Sequence, residues 1–189
     1  LIKANVTGSS TTQKRVVAEA KVLSAYLHMM LALCFENPPL VDKLIGAEDY
    51  PKNAESQKAI LEWCIAQCDE AMGDLAERNG KNDKPGCYHI TKGFAQFVAG
   101  KAAMFAGDFA KAESELKPLV TSSNYELVPT SEFRNLFHVE GDGCSEKIFD
   151  LNVEYNAGNG DSWWEQMRGG WMFVNVVNWR GDDIPGGKT

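Results

Sequence analysis

The stretch AAMFAGDFAKAESELKPLVTSSNYELVP, Ala102–Pro129, decides how this chain folds. Ala102, Ala103, Ala106, Ala110 and Ala112 carry only a methyl group each, so two helices built from them can approach closely. Between the two alanine-rich runs stands Gly107-Asp108. Glycine reaches the left-handed backbone region without steric cost, and this suits a helix end followed at once by a new helix. The pattern predicts a helix from about Thr91 to Ala106, with Phe94, Phe97, Val98, Ala102 and Phe105 inward. A second helix then runs from Phe109 to about Thr121, and the two form an antiparallel hairpin.

Upstream, the apolar positions Val16, Ala20, Leu23, Leu27, Met30, Leu31 and Cys34 recur at three- and four-residue spacing. They predict a helix from Lys14 to Phe35 with one buried stripe, stopped by Pro38-Pro39. Residues 1 to about 12 are polar and read as an entry loop or frayed terminus. Asn53 is the expected N-cap of a further helix, Ala54 to about Arg78, with Ile60, Trp63, Cys64, Ala71 and Leu75 on one face and Asn79-Gly80 at its end. Helical hairpins of this kind stack to bury their common face, as tetratricopeptide units do, although no strict repeat of about 34 residues is present.

After Pro129 the texture changes. EKIFDLNVEY, Glu146–Tyr155, alternates Ile148, Leu151 and Val153 with polar neighbours and predicts a short strand or extended segment. The remainder is rich in Gly, Asn and Trp, and reads as long loops with a short strand around Met172 to Val177. The expected architecture is one mostly α domain over residues 1–189. A tetratricopeptide-like helical-hairpin scaffold occupies 14–121, and a loop-rich region with a few short strands occupies 122–189.

Bulk properties narrow the function. Length suits a single domain, and 44% hydrophobic with 24% charged residues is a globular composition. A net charge of -7 and the lack of a basic cluster argue against nucleic acid as a partner. The longest apolar run, Leu23–Phe35, falls short of the roughly 20 residues a bilayer requires. No charged-then-apolar leader precedes it and the first residue is Leu, as expected of a processed protein or a piece of a longer one.

The candidates for chemistry fall away one by one. Cys34, Cys64, Cys68, Cys87 and Cys144 lack metal-ligand spacing and read as small core residues, Cys64 and Cys68 on one helix face. His28, His89 and His138 have no serine or cysteine in a nucleophile motif, and His28 reads as a satisfied core residue. Asp182-Asp183 are adjacent, so their carboxylates diverge. EGDGCSE lacks the alternating ligands of a calcium loop, and no phosphate-cradling glycine loop carries a lysine. The expectation is no catalytic residue, no metal and no cofactor.

The order of features resembles the SusD/RagB proteins. RVVAEAKVLSAYLHMMLALCFENPPLV supplies Arg15, Glu19, Ala20, Ala25, Tyr26, Pro39, Leu40 and Val41 of that pattern. It departs from it at Ser24, where an Arg is usual, and at Glu36-Asn37, where a Gly follows the Phe. From ITKGFAQF to NVEY the succession matches at Thr91, Lys92, Gly93, Gly107, Asp108, Ala112, Tyr125, Leu127, Leu136, Phe137, Glu146, Ile148 and Phe149. The resemblance, covering roughly Arg15 to Tyr155, implies a non-catalytic, surface-exposed outer-membrane lipoprotein of Bacteroidota-type bacteria. Such a protein captures oligosaccharides, or sometimes peptides, for a SusC-like TonB-dependent transporter. Members are longer, so this chain would correspond to a central slice, with the lipid anchor outside it.

Capture of a sugar needs flat rings to stack on its C–H face and amide, carboxylate or guanidinium groups for its hydroxyls. Trp163, Trp164, Tyr155, Asp161, Arg168 and Trp179 have that composition and are the expected ligand-binding residues. Trp171, opening the apolar run WMFVNVV, reads as core, as do Trp63 and Tyr26 on their helical stripes. The alternative is a tetratricopeptide-like adaptor that binds another protein along its helices, with no response to glycans.

Overall fold

In the computed structural model the described residues are 10–43, 45–46 and 50–151. The chain divides into two units, Leu1–Asp150 and Leu151–Thr189, and the architecture below belongs to the first. Among the described residues four α-helices follow one another: α1 (Ser10–Phe35), α2 (Gln57–Ala71), α3 (Lys92–Ala106) and α4 (Phe109–Thr121). Each packs on the next, and α1 also reaches α3. The result is the mostly helical, tetratricopeptide-like scaffold the sequence predicts. The expected segment Met172–Val177 lies outside the described residues.

The α3–α4 hairpin forms as its sequence dictates. The Thr91 hydroxyl accepts the Phe94 N–H at 3.3 Å and opens α3. Gly107 closes it at φ +83, with its N–H directed to the carbonyls of Ala103 and Met104. The Asp108 carboxylate then accepts the Lys111 N–H at 3.0 Å and starts α4. Ala102, Ala103 and Ala112 are buried in the seam, whereas Ala110 is exposed. α4 also presses on α3 at Gly100, a residue the alanine pattern does not pick out. A Cβ there would stand 2.6 Å from Leu116 Cγ and 3.3 Å from Glu115 Cβ. Phe105, expected inward, is exposed next to the turn, beyond the zone of closest contact.

In α1 the buried face is not the expected one. Ala18, Val22, Ala25, Met29 and Ala32 are buried, at alternating four- and three-residue steps with alanine every seventh position. The larger residues of the expected stripe face outward, with Leu27 52% and Phe35 69% exposed, and Leu23, Met30, Leu31 and Cys34 also exposed. Nothing in Val22–Phe35 is charged, so apolar periodicity marks two seams on this helix. Packing on α2 and α3 selects the seam of small residues because only it lets the backbones come close. By length and composition α1 could cross a membrane, but here its small-residue seam lies in the helical core. It also begins at Ser10, inside the expected entry loop.

The second helix is shorter than predicted at both ends. Asn53 does not cap it: it pairs with Pro39 in an isolated antiparallel bridge, and the Ala54 N–H reaches the Pro38 carbonyl at 3.2 Å. Extended backbone there delays the helix until Ser56, whose hydroxyl accepts the Ala59 N–H at 3.1 Å. At the other end the helix tightens into a 3-10 turn at Met72–Asp74 and Leu75 is extended, so Arg78 lies outside it. Gly80 has the positive φ expected of it, at +83, but in a loop.

The core joins Ile60, Leu61, Cys64 and Cys68 of α2 to Phe94, Ala95, Val98 and Ala99 of α3 and to the α1 seam. Phe94 is its aromatic centre, 5.4 Å from Tyr26 and 4.6 Å from Phe149 by ring centroids. Tyr26 and Trp63 pack against this core half-buried. His28 is satisfied within it: Nε2 accepts the Val41 N–H at 3.2 Å, and Nδ1 donates to the Ser24 carbonyl at 2.8 Å. The described residues contain no strand. Ile148 and Phe149 are neighbours yet both pack on the core, which an alternating strand forbids; the backbone bends there instead.

Gly100→Val is expected to destabilise the protein by about 1–3 kcal/mol through overpacking against α4. Ala110→Gln, on the exposed side of the same hairpin, is expected to stay within about 0.5 kcal/mol. Urea denaturation followed by circular dichroism measures both.

Candidate functional site

A buried arginine anchors the described segment that follows Thr121. Arg78, 2% exposed, has no carboxylate partner among the described residues. Its Nη1 donates to the Lys147 carbonyl at 2.7 Å, and Nη2 lies within 3.0–3.2 Å of the carbonyls of Cys144, Gly143 and Lys81. The guanidinium also sits over the Tyr125 ring, 5.6 Å from its centroid. Its Nε is buried with no partner among the described residues. One rigid fork thus gathers three segments, around Lys81, Tyr125 and Gly143–Lys147.

The surroundings reinforce that anchor. Gly93 leaves the room that Tyr125 occupies, since a Cβ there would stand 2.0 Å from the tyrosine hydroxyl. Burial raises the Tyr125 pKa, while its bond to Thr91 and the Arg78 charge pull the other way. The Asp83 carboxylate is held below its ordinary pKa, first by the N–H groups of Asn79 at 2.9 Å and Gly86 at 3.1 Å, with Arg78 a smaller influence. Lys147 Nζ binds Asp150 at 2.7 Å and Asp142 at 3.4 Å. Burial opposes the Lys147 charge, but these two carboxylates prevail and its pKa is raised.

Beyond the anchor, the chain is pinned twice more. The Glu126 N–H donates to the Ser145 carbonyl at 3.1 Å, and the Ser145 hydroxyl to the Glu126 carbonyl at 2.9 Å. The Val128 N–H reaches Glu146 Oε2 at 3.0 Å. A groove of about 260 Å³ opens here between Leu119, Val120, Tyr125, Leu127, Glu146 and Ile148. From it leads the 3-10 segment Thr130–Phe137.

The expected ligand-binding residues Tyr155, Asp161, Trp163, Trp164, Arg168 and Trp179 lie outside the described residues, as do Trp171 and Asp182-Asp183. Among the described residues no group of three or more His, Cys, Asp or Glu side chains is placed to hold a metal ion. Cys64 and Cys68 are fully buried, and burial pushes each thiol up to about 12, with the neighbouring Cys64 adding to the rise at Cys68. Cys87 is buried as well, whereas Cys34, expected in the core, is exposed because it lies on the outer seam of α1. Sequence reasoning missed Arg78, which it treated as the last turn of a helix. The signal was the Arg-Asn-Gly sequence: a charge two positions before a glycine that takes positive φ in a loop.

The arrangement is that of a helical-hairpin stack carrying an anchored irregular segment, the fold of SusD-like proteins. It matches surface glycan-binding protein A from Bacteroides uniformis with a TM-score of 0.69 and 22% identity, over 80% of this chain and 34% of that one. It matches a SusD-like carbohydrate binding protein from Bacteroides fragilis with a TM-score of 0.67 and 24% identity, over 77% and 28%. A laminarin binding SusD-like protein gives 0.59 and 22%, over 67% and 28%. The chain therefore spans about a third of the length of these solved structures. No protein-family model and no curated protein matches the sequence.

Two outcomes test this site. Arg78→Met is expected to cost at least about 2 kcal/mol in denaturant unfolding, because it strands several buried carbonyls. Arg78→Lys should not restore it, since a point ammonium cannot reproduce the planar fork. A thiol reagent should label Cys34 rapidly and leave Cys64 and Cys68 unlabelled until unfolding. Their raised pKa also has a direction in pH: the unfolded thiols ionise near 9.0 and the folded ones near 12, so the stabilisation they lend is complete below pH 9.0 and is lost as pH rises toward 12.

Proposed function

We propose that this protein belongs to the SusD/RagB family and is a non-catalytic glycan-binding component of an outer-membrane uptake system. It holds an oligosaccharide at the cell surface and delivers it to a SusC-like TonB-dependent transporter. A lipid anchor tethers it to the membrane. The observation that carries this reading is the likeness of two thirds to four fifths of this chain to solved proteins described as glycan-, carbohydrate- and laminarin-binding. The sequence order of family features supports it independently.

The proposed contacts are Tyr155, Asp161, Trp163, Trp164, Arg168 and Trp179, whose rings would stack on pyranose faces while the carboxylate and guanidinium meet hydroxyls. A scaffold held by close helix packing and a buried arginine suits this role, because binding loops lose less entropy on a rigid base. The second reading, a protein-binding adaptor, draws on one observation: the outer seam of α1, with Leu23, Leu27, Leu31 and Phe35 exposed.

A glycan array followed by affinity electrophoresis distinguishes them. The expected result is retention by at least one neutral glycan, quenching of tryptophan fluorescence, and a loss of about tenfold or more in affinity for Trp163→Ala or Trp164→Ala, equivalent to about 1.4 kcal/mol. Affinity for a neutral sugar should change little with salt. Absence of any glycan binding overturns the reading in favour of the adaptor, and release of reducing ends from a bound polysaccharide overturns its non-catalytic part.

A further inference from the structure

Backbone groups hold both ring nitrogens of His28, and this fixes what each nitrogen must be. Nδ1 lies 2.8 Å from the Ser24 carbonyl, which can only accept, so Nδ1 carries a proton. Nε2 lies 3.2 Å from the Val41 nitrogen, whose N–H can only donate, so Nε2 presents its lone pair. The ring is therefore neutral and in one tautomer. It is buried, and the Trp63 ring of α2 packs against it with centroids 5.0 Å apart at an interplanar angle of 65°.

The bond to Val41 joins the buried face of α1 to the loop that follows this helix. Nearer the helix that loop has other ties, since Asn53 bridges Pro39 and the Ala54 N–H reaches the Pro38 carbonyl. Residues 40–43 make no other hydrogen bond or ion pair with a described residue. Val41, Asp42 and Lys43 are exposed, so water can take over the Val41 N–H if the ring gives it up. One imidazole lone pair thus holds the far side of the loop.

An imidazole that gains a proton donates from both nitrogens. Nδ1 can go on serving Ser24, but Nε2 then sets a donor against the Val41 donor, and turning the ring over changes nothing. The charges around His28 do not intervene. Val22–Phe35 holds none, Glu62 beside Trp63 is exposed and paired with Lys58, and Asp42 and Lys43 are exposed on the loop. The Cys64 thiol of α2 donates to the Ala25 carbonyl at 3.2 Å, and His28 makes no ion pair with a described residue. We infer that His28 is a pH-sensitive latch on the loop after α1: the neutral ring holds Val41, and protonation frees residues 40–43. The bond is present at higher pH and lost as pH falls through the titration of the ring, within the range where histidine changes charge. Leu40 and Val41 also line a groove of about 370 Å³ with Tyr50 and Pro51, so the latch alters its wall. The inference is independent of the glycan reading.

Nuclear magnetic resonance on the full chain, titrated from about pH 8 to about pH 5, tests this. The Val41 amide is expected to move along the same curve as the His28 ring proton. Its hydrogen exchange, corrected for the intrinsic effect of pH, should quicken about tenfold or more across that curve. His28→Gln should abolish the change, and His89→Gln and His138→Gln should keep it. A Val41 amide that stays unchanged while the His28 ring titrates overturns the latch. So does a ring that takes up no proton down to about pH 5, or a change at Val41 that persists in His28→Gln. If His28→Gln fails to fold, the wild-type curves of ring and amide still decide.

Discussion

The distance between helix backbones is the constraint from which the rest follows. Ala18, Ala25 and Ala32 on α1, and Gly100, Ala102 and Ala103 on α3, present almost no side chain at the contacts. Dispersion and burial then act over many short contacts, each small and together decisive. The few large side chains in this interior, Met29, Ile60, Leu61, Phe94 and Val98, fill the remaining space. Exposed ion pairs such as Lys111 with Asp69 add little by comparison.

The irregular segment that follows the stack is fixed to it largely through one side chain. Arg78 makes the connection. A buried guanidinium is costly without partners, and four carbonyls and a tyrosine face supply them here. Because its fork is planar, it fixes the direction of each segment it touches. The tie between residues 126–128 and 145–146 extends that order to the edge of the described residues. Order thus passes from alanine seam to arginine to the irregular described segment.

Much of the fold was legible in local chemistry. The α3–α4 hairpin follows from Thr91, Gly107 and Asp108, each of which acts on its immediate neighbours and does what its side chain permits in isolation. The burial of Cys64, Cys68 and His28 followed from their places on apolar stripes. The start of α2 was not legible, because Asn53 and Ser56 are both competent caps and the choice fell to the bridge between Asn53 and Pro39, across the loop. Of the candidate site, the sequence offered the aromatic and polar composition after Tyr155.

By itself the sequence determined that helices form, where the tight turn falls, and that no familiar catalytic or metal constellation is written in the chain; these depend on spacing and on residue type. Tertiary structure alone decided which of the two apolar seams of α1 is buried. Periodicity cannot rank two faces of an uncharged helix, but the space between packed backbones can, and it admits alanine and refuses leucine. It also decided the role of Arg78, since the carbonyls that satisfy its charge lie as far as 69 residues away along the chain.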